Sequence, residues 1–220
     1  MPYDFTEDWA KIIHLEDSKL FVCGGSTKEE ATSNVVFSDR AFTVDAESGR
    51  IRKLPSMHKC RQAHGVCRVG QYVYACGGLN SGWSVLNHCE RFDLELRRWT
   101  EDVPALCGRK FSMTTIKVDR TWLYNFGGVS FNYQRNQKNM VVERLDTRRL
   151  KDAPRHPEAN PKEDDDSSPN MLVTWEEVCI ASDVFTSCCQ QGVIALTSSS
   201  GHPRYREYLI FGGVDSDYTK

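Results

Sequence analysis

The stretch "HKCRQAHGVC", residues 58–67, gathers His58, Cys60, His64 and Cys67, side-chain types that ligate zinc. A zinc finger needs a second pair of donors at a defined distance, and no such pair follows. Cys188 and Cys189 are adjacent, which strains a disulfide between them. In a strand they would point to opposite faces, so they read as packed thiols. No G-x-S-x-G, phosphate-loop or H-E-x-x-H pattern occurs. The chain is therefore expected to hold no metal or cofactor and to have no catalytic residues.

The chemistry-bearing residues sit among repeated strand patterns. "KLFVCGG" (19–25), "YVYACGG" (72–78), "TWLYNFGG" (121–128) and "EYLIFGG" (207–213) each run β-branched and aromatic residues into a glycine pair. Such runs are buried strand candidates, and paired glycines permit left-handed backbone or close approach. The pairs are Gly24 and Gly25, Gly77 and Gly78, Gly127 and Gly128, and Gly212 and Gly213, at intervals of 53, 50 and 85 residues.

A second landmark follows each of the first three pairs. "HCERFDLELRRW" places Trp99 seven positions after Phe92, beside Asp93. In "AFTVDAESGRI", Val44, Asp45 and Ile51 take the corresponding places. In the third unit Leu145 and Asp146 recur, but Trp175 follows Leu145 by 30 positions, which leaves 23 inserted residues at about 147–173. Removing them shortens the long interval to 62, so about ten more residues are expected in "TSSSGHPRYRE" (197–207). Each unit thus reads as four short strands at a period near fifty residues, the pattern of a β-propeller blade.

On these residues the chain resembles kelch-repeat propellers. Kelch blades carry a glycine pair after the second strand, an aromatic in the third and a Trp about seven positions on. An Arg-x-x-His-Gly element often opens the next blade, and Arg61, His64 and Gly65 match it in "LPSMHKCRQAHGVCRVGQYVYACGG". The third unit has Arg109 at this place, with Ser112 where the His would be. The resemblance implies an all-β, kelch-type propeller of about three and a half four-stranded blades: 9–55, 56–104, 105–180 with the insertion, and a partial blade at 181–220. Trp99 and Trp175 are expected as wedges between blades. Because the fourth unit stops just past its second strand, further blades from a longer chain or another subunit are expected to complete the ring.

The resemblance also implies a function. Kelch propellers commonly bind protein segments at the end carrying the loops after strands two and four. Mapped by motif, Arg61 and Arg109 open blades there, and Ser26, Asn80 and Ser130 follow the glycine pairs. An arginine pair suits an acidic or hydroxyl-bearing segment. The expected activity is non-enzymatic protein recognition. A substrate-receptor piece of a ubiquitin ligase, or a component of a cytoskeletal or ciliary assembly, is the alternative, with a kelch-type oxidase or epimerase behind both.

Charge and composition narrow the rest. A net charge of −2 offers no electrostatic case for nucleic acid or anionic membrane. No apolar run is long enough to span a bilayer, and "MPYDFTEDWAKII" lacks the build of a signal peptide. Nine cysteines, an odd number without a secretory signal, point to a reducing compartment, so a cytoplasmic location is expected. The acidic "KEDDDSSP" (162–169) reads as a solvated loop.

Overall fold

The structure, a computed structural model, describes residues 7–29, 34–129, 142–150 and 173–178, together with strand residues 188–189, 192–196, 207–211 and 214–215. The first blade comprises β1 (Lys11–Glu16), β2 (Lys19–Cys23), a small hairpin of β3 (Ser26–Lys28) and β4 (Val35–Phe37), then β5 (Ala41–Asp45) and β6 (Ile51–Leu54). The second comprises β7 (Gly65–Val69), β8 (Tyr72–Cys76), β9 (Cys89–Asp93) and β10 (Arg98–Thr100). The third comprises β11 (Thr114–Val118), β12 (Trp122–Phe126), β13 (Val142–Asp146) and β14 (Glu176–Val178). Beyond it lie β15 (Cys188–Cys189), β16 (Gly192–Leu196), β17 (Glu207–Phe211) and β18 (Val214–Asp215). Strand dominates, and the one helical element among the described residues is a 3-10 turn at Thr147–Arg149.

Each of the three blades is an antiparallel meander of four strands, ordered β1-β2-β5-β6, β7-β8-β9-β10 and β11-β12-β13-β14. In the fourth unit β16 pairs with β17 and β15 with β18. The fold is thus all-β, a run of successive four-stranded blades of the kelch-propeller type. The first strands β1, β7 and β11 lie side by side, and β16 follows beside β11. An open cavity of about 650 Å³ runs between β1, β7 and β11, lined by Ile13, Val66, Arg68, Thr115 and Lys117 among others.

The repeated aspartate has a local cause. At the turn after the third strand, Asp93 Oδ1 accepts the backbone N–H groups of Glu95 and Leu96 at 2.8 and 2.9 Å. Asp45 Oδ1 accepts those of Glu47 and Ser48, and Asp146 Oδ1 accepts that of Arg148. A short carboxylate offers these turn amides the acceptor that a ladder no longer supplies. Bonding from Ser48 holds the Asp45 carboxyl below its ordinary range.

Blades adhere through their buried faces. Phe21 and Leu54 of the first blade pack with Met57, Val73, Ala75, Phe92 and Trp99 of the second. Phe21, Phe92 and Trp99 form an aromatic trio with ring centroids 5.2–6.1 Å apart. Trp99 is a wedge with a polar anchor, because its indole N–H donates to Pro55 O at 2.9 Å in the preceding blade. Trp175 repeats the bond to Pro104 O at the same distance and packs in the next inter-blade core. An indole supplies large apolar area while its single N–H must find an acceptor, and a carbonyl after each fourth strand provides one.

Within the insertion proposed at 147–173, the first three residues form the 3-10 turn and Leu150, which caps it, is buried in the core. Residues 151–172, with the acidic run, and 197–206 lie outside the described residues, as do Ser130, Gly212 and Gly213.

Candidate functional site

The loops after the second and fourth strands share one end of the blades. Gln62 and Leu79 exchange backbone hydrogen bonds at 2.9 and 3.0 Å, which joins the opening of the second blade to the segment after its glycine pair. Asp8 bridges Ser26 and Phe111 bridges Val129 in the same way. Arg61, Arg109, Ser26 and Asn80 therefore all lie at this end.

The glycine pairs are inter-blade contacts. Gly77 and Gly78 have φ of +59° and +102°, and Gly78 N–H donates to Lys110 O of the next blade at 2.8 Å. Gly25 N–H donates to Arg61 O in the same way. A Cβ on Gly77 would stand 2.5 Å from Lys110 O and 2.7 Å from Met113 Cε. Only glycine lets the chain turn left-handed against a neighbouring backbone at that distance.

This geometry corrects the sequence register of the third blade. Lys110 O receives Gly78 N–H as Arg61 O receives Gly25 N–H, so Lys110 is the counterpart of Arg61. Ala63 and Ser112 share a left-handed φ near 50–56°, and Met113 packs under Gly77 as His64 packs under Gly24. Arg109 and Ser112 are each one residue short of the motif positions they were expected to fill. With Met in the His place, the alignment by residue type slipped onto the nearest arginine.

Arg61 is not a solvent-facing arginine. Its side chain is fully buried and donates to Glu90 Oε1 at 2.6 Å, Gly77 O at 2.7 Å, and His88 O and Nδ1 at 3.1 and 3.0 Å. Glu90, equally buried, also accepts from His58 N, His58 Nδ1 and Lys59 N at 2.9, 3.1 and 3.4 Å. Because Nδ1 of His88 accepts from Arg61, its proton resides on Nε2, which donates to Glu101 at 2.9 Å. Burial, then the Arg61 charge, lower the His88 pKa, in keeping with a neutral ring.

The same place in each blade opening holds a charge. Lys110 Nζ lies 3.0 Å from Glu143 Oε1, and in the first blade Glu7 pairs with Arg40 at 2.7 Å. The Lys110 and Glu143 groups are close enough to pair but are not aligned as a hydrogen bond. Sequence reading missed these acids. The signal was the shared "ER-apolar-D" of Glu90–Asp93 and Glu143–Asp146, where Arg91 and Arg144 lie over the Tyr72 and Trp122 rings at 4.1 and 4.9 Å.

The zinc-like set does not converge. His58 faces Glu90, Cys60 Sγ faces Ser81 Oγ at 3.7 Å, and His64 Nε2 faces Cys23 Sγ at 3.3 Å. Cys67 is buried in the inter-blade core. Burial pushes the Cys23 and Cys67 thiols up to about 12.

His64 sets a pH dependence. Burial, then the Arg61 charge, hold its pKa well below the ordinary value. The unfolded chain therefore binds a proton below about pH 6.5 that the folded chain refuses, so stability falls as pH drops. Denaturant unfolding between pH 7 and pH 5 should show a loss approaching about 1.4 kcal/mol per pH unit from this group. His64→Met, which copies Met113, should flatten that slope; an unchanged slope would assign it elsewhere.

Of the other expected residues, Ser26 is buried and donates to Gln62 Oε1 at 2.5 Å. Asn80 is half-buried, and its amide, once oriented by its neighbours, bonds Ser81 O and Ser84 O. Arg109 is exposed and donates to Val85 O at 3.1 Å. Two residues before Val85 stands an aromatic that sequence reading passed over. Trp83 is 57% exposed at φ +59°, and its ring meets Phe37 of the first blade edge-on at 5.4 Å. Val36, beside Phe37, is also exposed.

Comparison with known proteins agrees with this architecture. Residues 60–102 match the family model of the Kelch motif. A protein of Arabidopsis thaliana named as an F-box/kelch-repeat protein is 33% identical over 109 residues, which cover 50% of this chain and 27% of that relative. Residues 60–102 are a kelch motif, set in a run of blades of the kelch-propeller type.

Proposed function

We propose that the chain is a non-enzymatic protein-interaction module that recognises a partner protein at the glycine-pair end of its blades. The observation that carries this reading is Trp83, a large exposed ring held in a backbone conformation that bulky residues avoid. Phe37 from the neighbouring blade buttresses it, and Arg109 stands on the adjoining strand of backbone at Val85. Aromatic anchors beside an arginine are the side chains that contribute most at protein interfaces. An acidic or hydroxyl-bearing segment suits Arg109, whereas Arg61 and Ser26 act from beneath by holding the loops in place.

Proximity labelling with the full chain, compared with Trp83→Ala and Arg109→Glu, tests the reading. Partners captured by the wild type should be lost from both variants, with affinity for an identified partner falling about tenfold or more at Trp83. Partners retained by both variants would place recognition elsewhere. A second reading, a substrate-receptor piece of a ubiquitin ligase, is supported by the F-box named in the Arabidopsis relative. Ubiquitin-ligase subunits among the captured proteins would distinguish it.

A further inference from the structure

Equivalent buried glutamates in the second and third blades have unequal surroundings. Glu90 receives four hydrogen bonds, from His58 N and Nδ1, Lys59 N and Arg61 Nη2. Glu143 occupies the same strand position, opposite Asn125 as Glu90 is opposite Ala75. Its side chain is fully buried, yet no N–H or O–H group donates to either carboxylate oxygen among the described residues, and its hydrogen-bonding neighbour is the Cys107 thiol. Lys110 supplies charge at 3.0 Å from Oε1 without an aligned hydrogen bond. Buried carboxylate oxygens without N–H or O–H donors are costly, so such atoms call for a ligand.

The residues around Glu143 show what kind. Counting back from the blade opening, Cys107 stands where His58 stands in the second blade. Glu177 is the direct cross-strand partner of Glu143. Sγ of Cys107 and one carboxylate oxygen each from Glu143 and Glu177 all lie within 4.8 Å of one another. Cys107 and Glu177 are exposed, so solvent reaches the cluster from one side while Glu143 forms its floor.

We propose that Cys107, Glu143 and Glu177 form a binding site for a divalent cation of the zinc class. A thiolate with two carboxylates suits a borderline metal, whereas calcium and magnesium prefer all-oxygen sites. The charges balance. Two carboxylates beside one ammonium leave −1. A bound dication that displaces the thiol proton to solvent adds two positive charges and one thiolate, which brings the total with Lys110 to zero. Ligands of a tetrahedral zinc stand about 3–4 Å apart. The two exposed members need move only about an ångström to close the site.

Cobalt(II) titration of the full chain, in a phosphine reductant that leaves the metal free, tests the site directly. One equivalent should bind with a thiolate-to-cobalt charge-transfer band, and zinc should displace it. Cys107→Ser should abolish the band, and Glu177→Gln should raise the cobalt dissociation constant about tenfold or more. Cys60→Ser, which alters another accessible thiol, should change neither. A band that survives Cys107→Ser, wild-type affinity in Glu177→Gln, or no band in the wild type would each overturn the proposal. Circular dichroism of the exposed-position variants confirms that any loss comes from a folded chain.

Discussion

Arg61→Ala should destabilise the chain by about 3–5 kcal/mol, among the largest effects of any single substitution. The arginine itself contributes modestly, because burying an ion pair costs much of what the attraction returns. What the variant leaves behind is the expensive state: Glu90 fully buried, stripped of its shortest hydrogen bond, with Gly77 O and His88 O losing a shared donor. Urea unfolding of wild type, Arg61→Ala, Glu90→Ala and the double variant forms a cycle. The loss in the double variant should fall well short of the sum of the two single losses, since it removes both charges together and leaves neither buried alone. A loss under about 1 kcal/mol for Arg61→Ala would show that water already reaches Glu90 and that the pair behaves as a surface one. This outcome also bears on recognition, because an arginine spent inside the fold cannot grip a partner.

Gly77→Ala should cost about 2–4 kcal/mol, from two separable causes. A left-handed φ of +59° strains any L side chain, and the new Cβ would press on Lys110 O of the next blade at 2.5 Å. Gly70 separates them, because it has the same φ but open space around its Cβ position. Gly70→Ala should therefore show only the backbone part, about 1–2 kcal/mol. Thermal unfolding of the two variants gives the steric part by difference. Equal losses would mean that the blades move apart easily, and the glycine pair would then serve its own turn rather than the junction.

Much of the architecture was legible from residue types. Four-stranded units, the strand-ending glycine pairs and the two tryptophan wedges all follow from local patterns that the chain repeats, and repeated patterns can be read without knowing what they touch. The aspartate after each third strand is of the same kind, since it bonds amides two and three residues away. The β3–β4 hairpin was missed because its first strand, "STK", holds a single strand-favouring residue and draws its support from Asp8 and Gly25. Single-sequence reading also put Arg109 in the place of Arg61. That place is defined by a backbone carbonyl meeting a glycine N–H in another blade, and residue identity at it changes from Arg61 to Lys110.

The sequence by itself therefore determined the strand, turn and glycine pattern that sets four strands to a blade. Only the tertiary structure decided what each charge does. Arg61, exposed by expectation, is buried because Glu90, 29 residues later, comes to lie beneath it. Trp83, unremarkable in "LNSGWSVL", stands 57% exposed and meets Phe37 of another blade edge-on. Glu143 lacks the donors that surround Glu90 because Cys107 replaces His58 and Lys110 replaces Arg61, one blade along. Burial and charge partnership are properties of residues brought together from separate blades, and no local pattern in the chain encodes them.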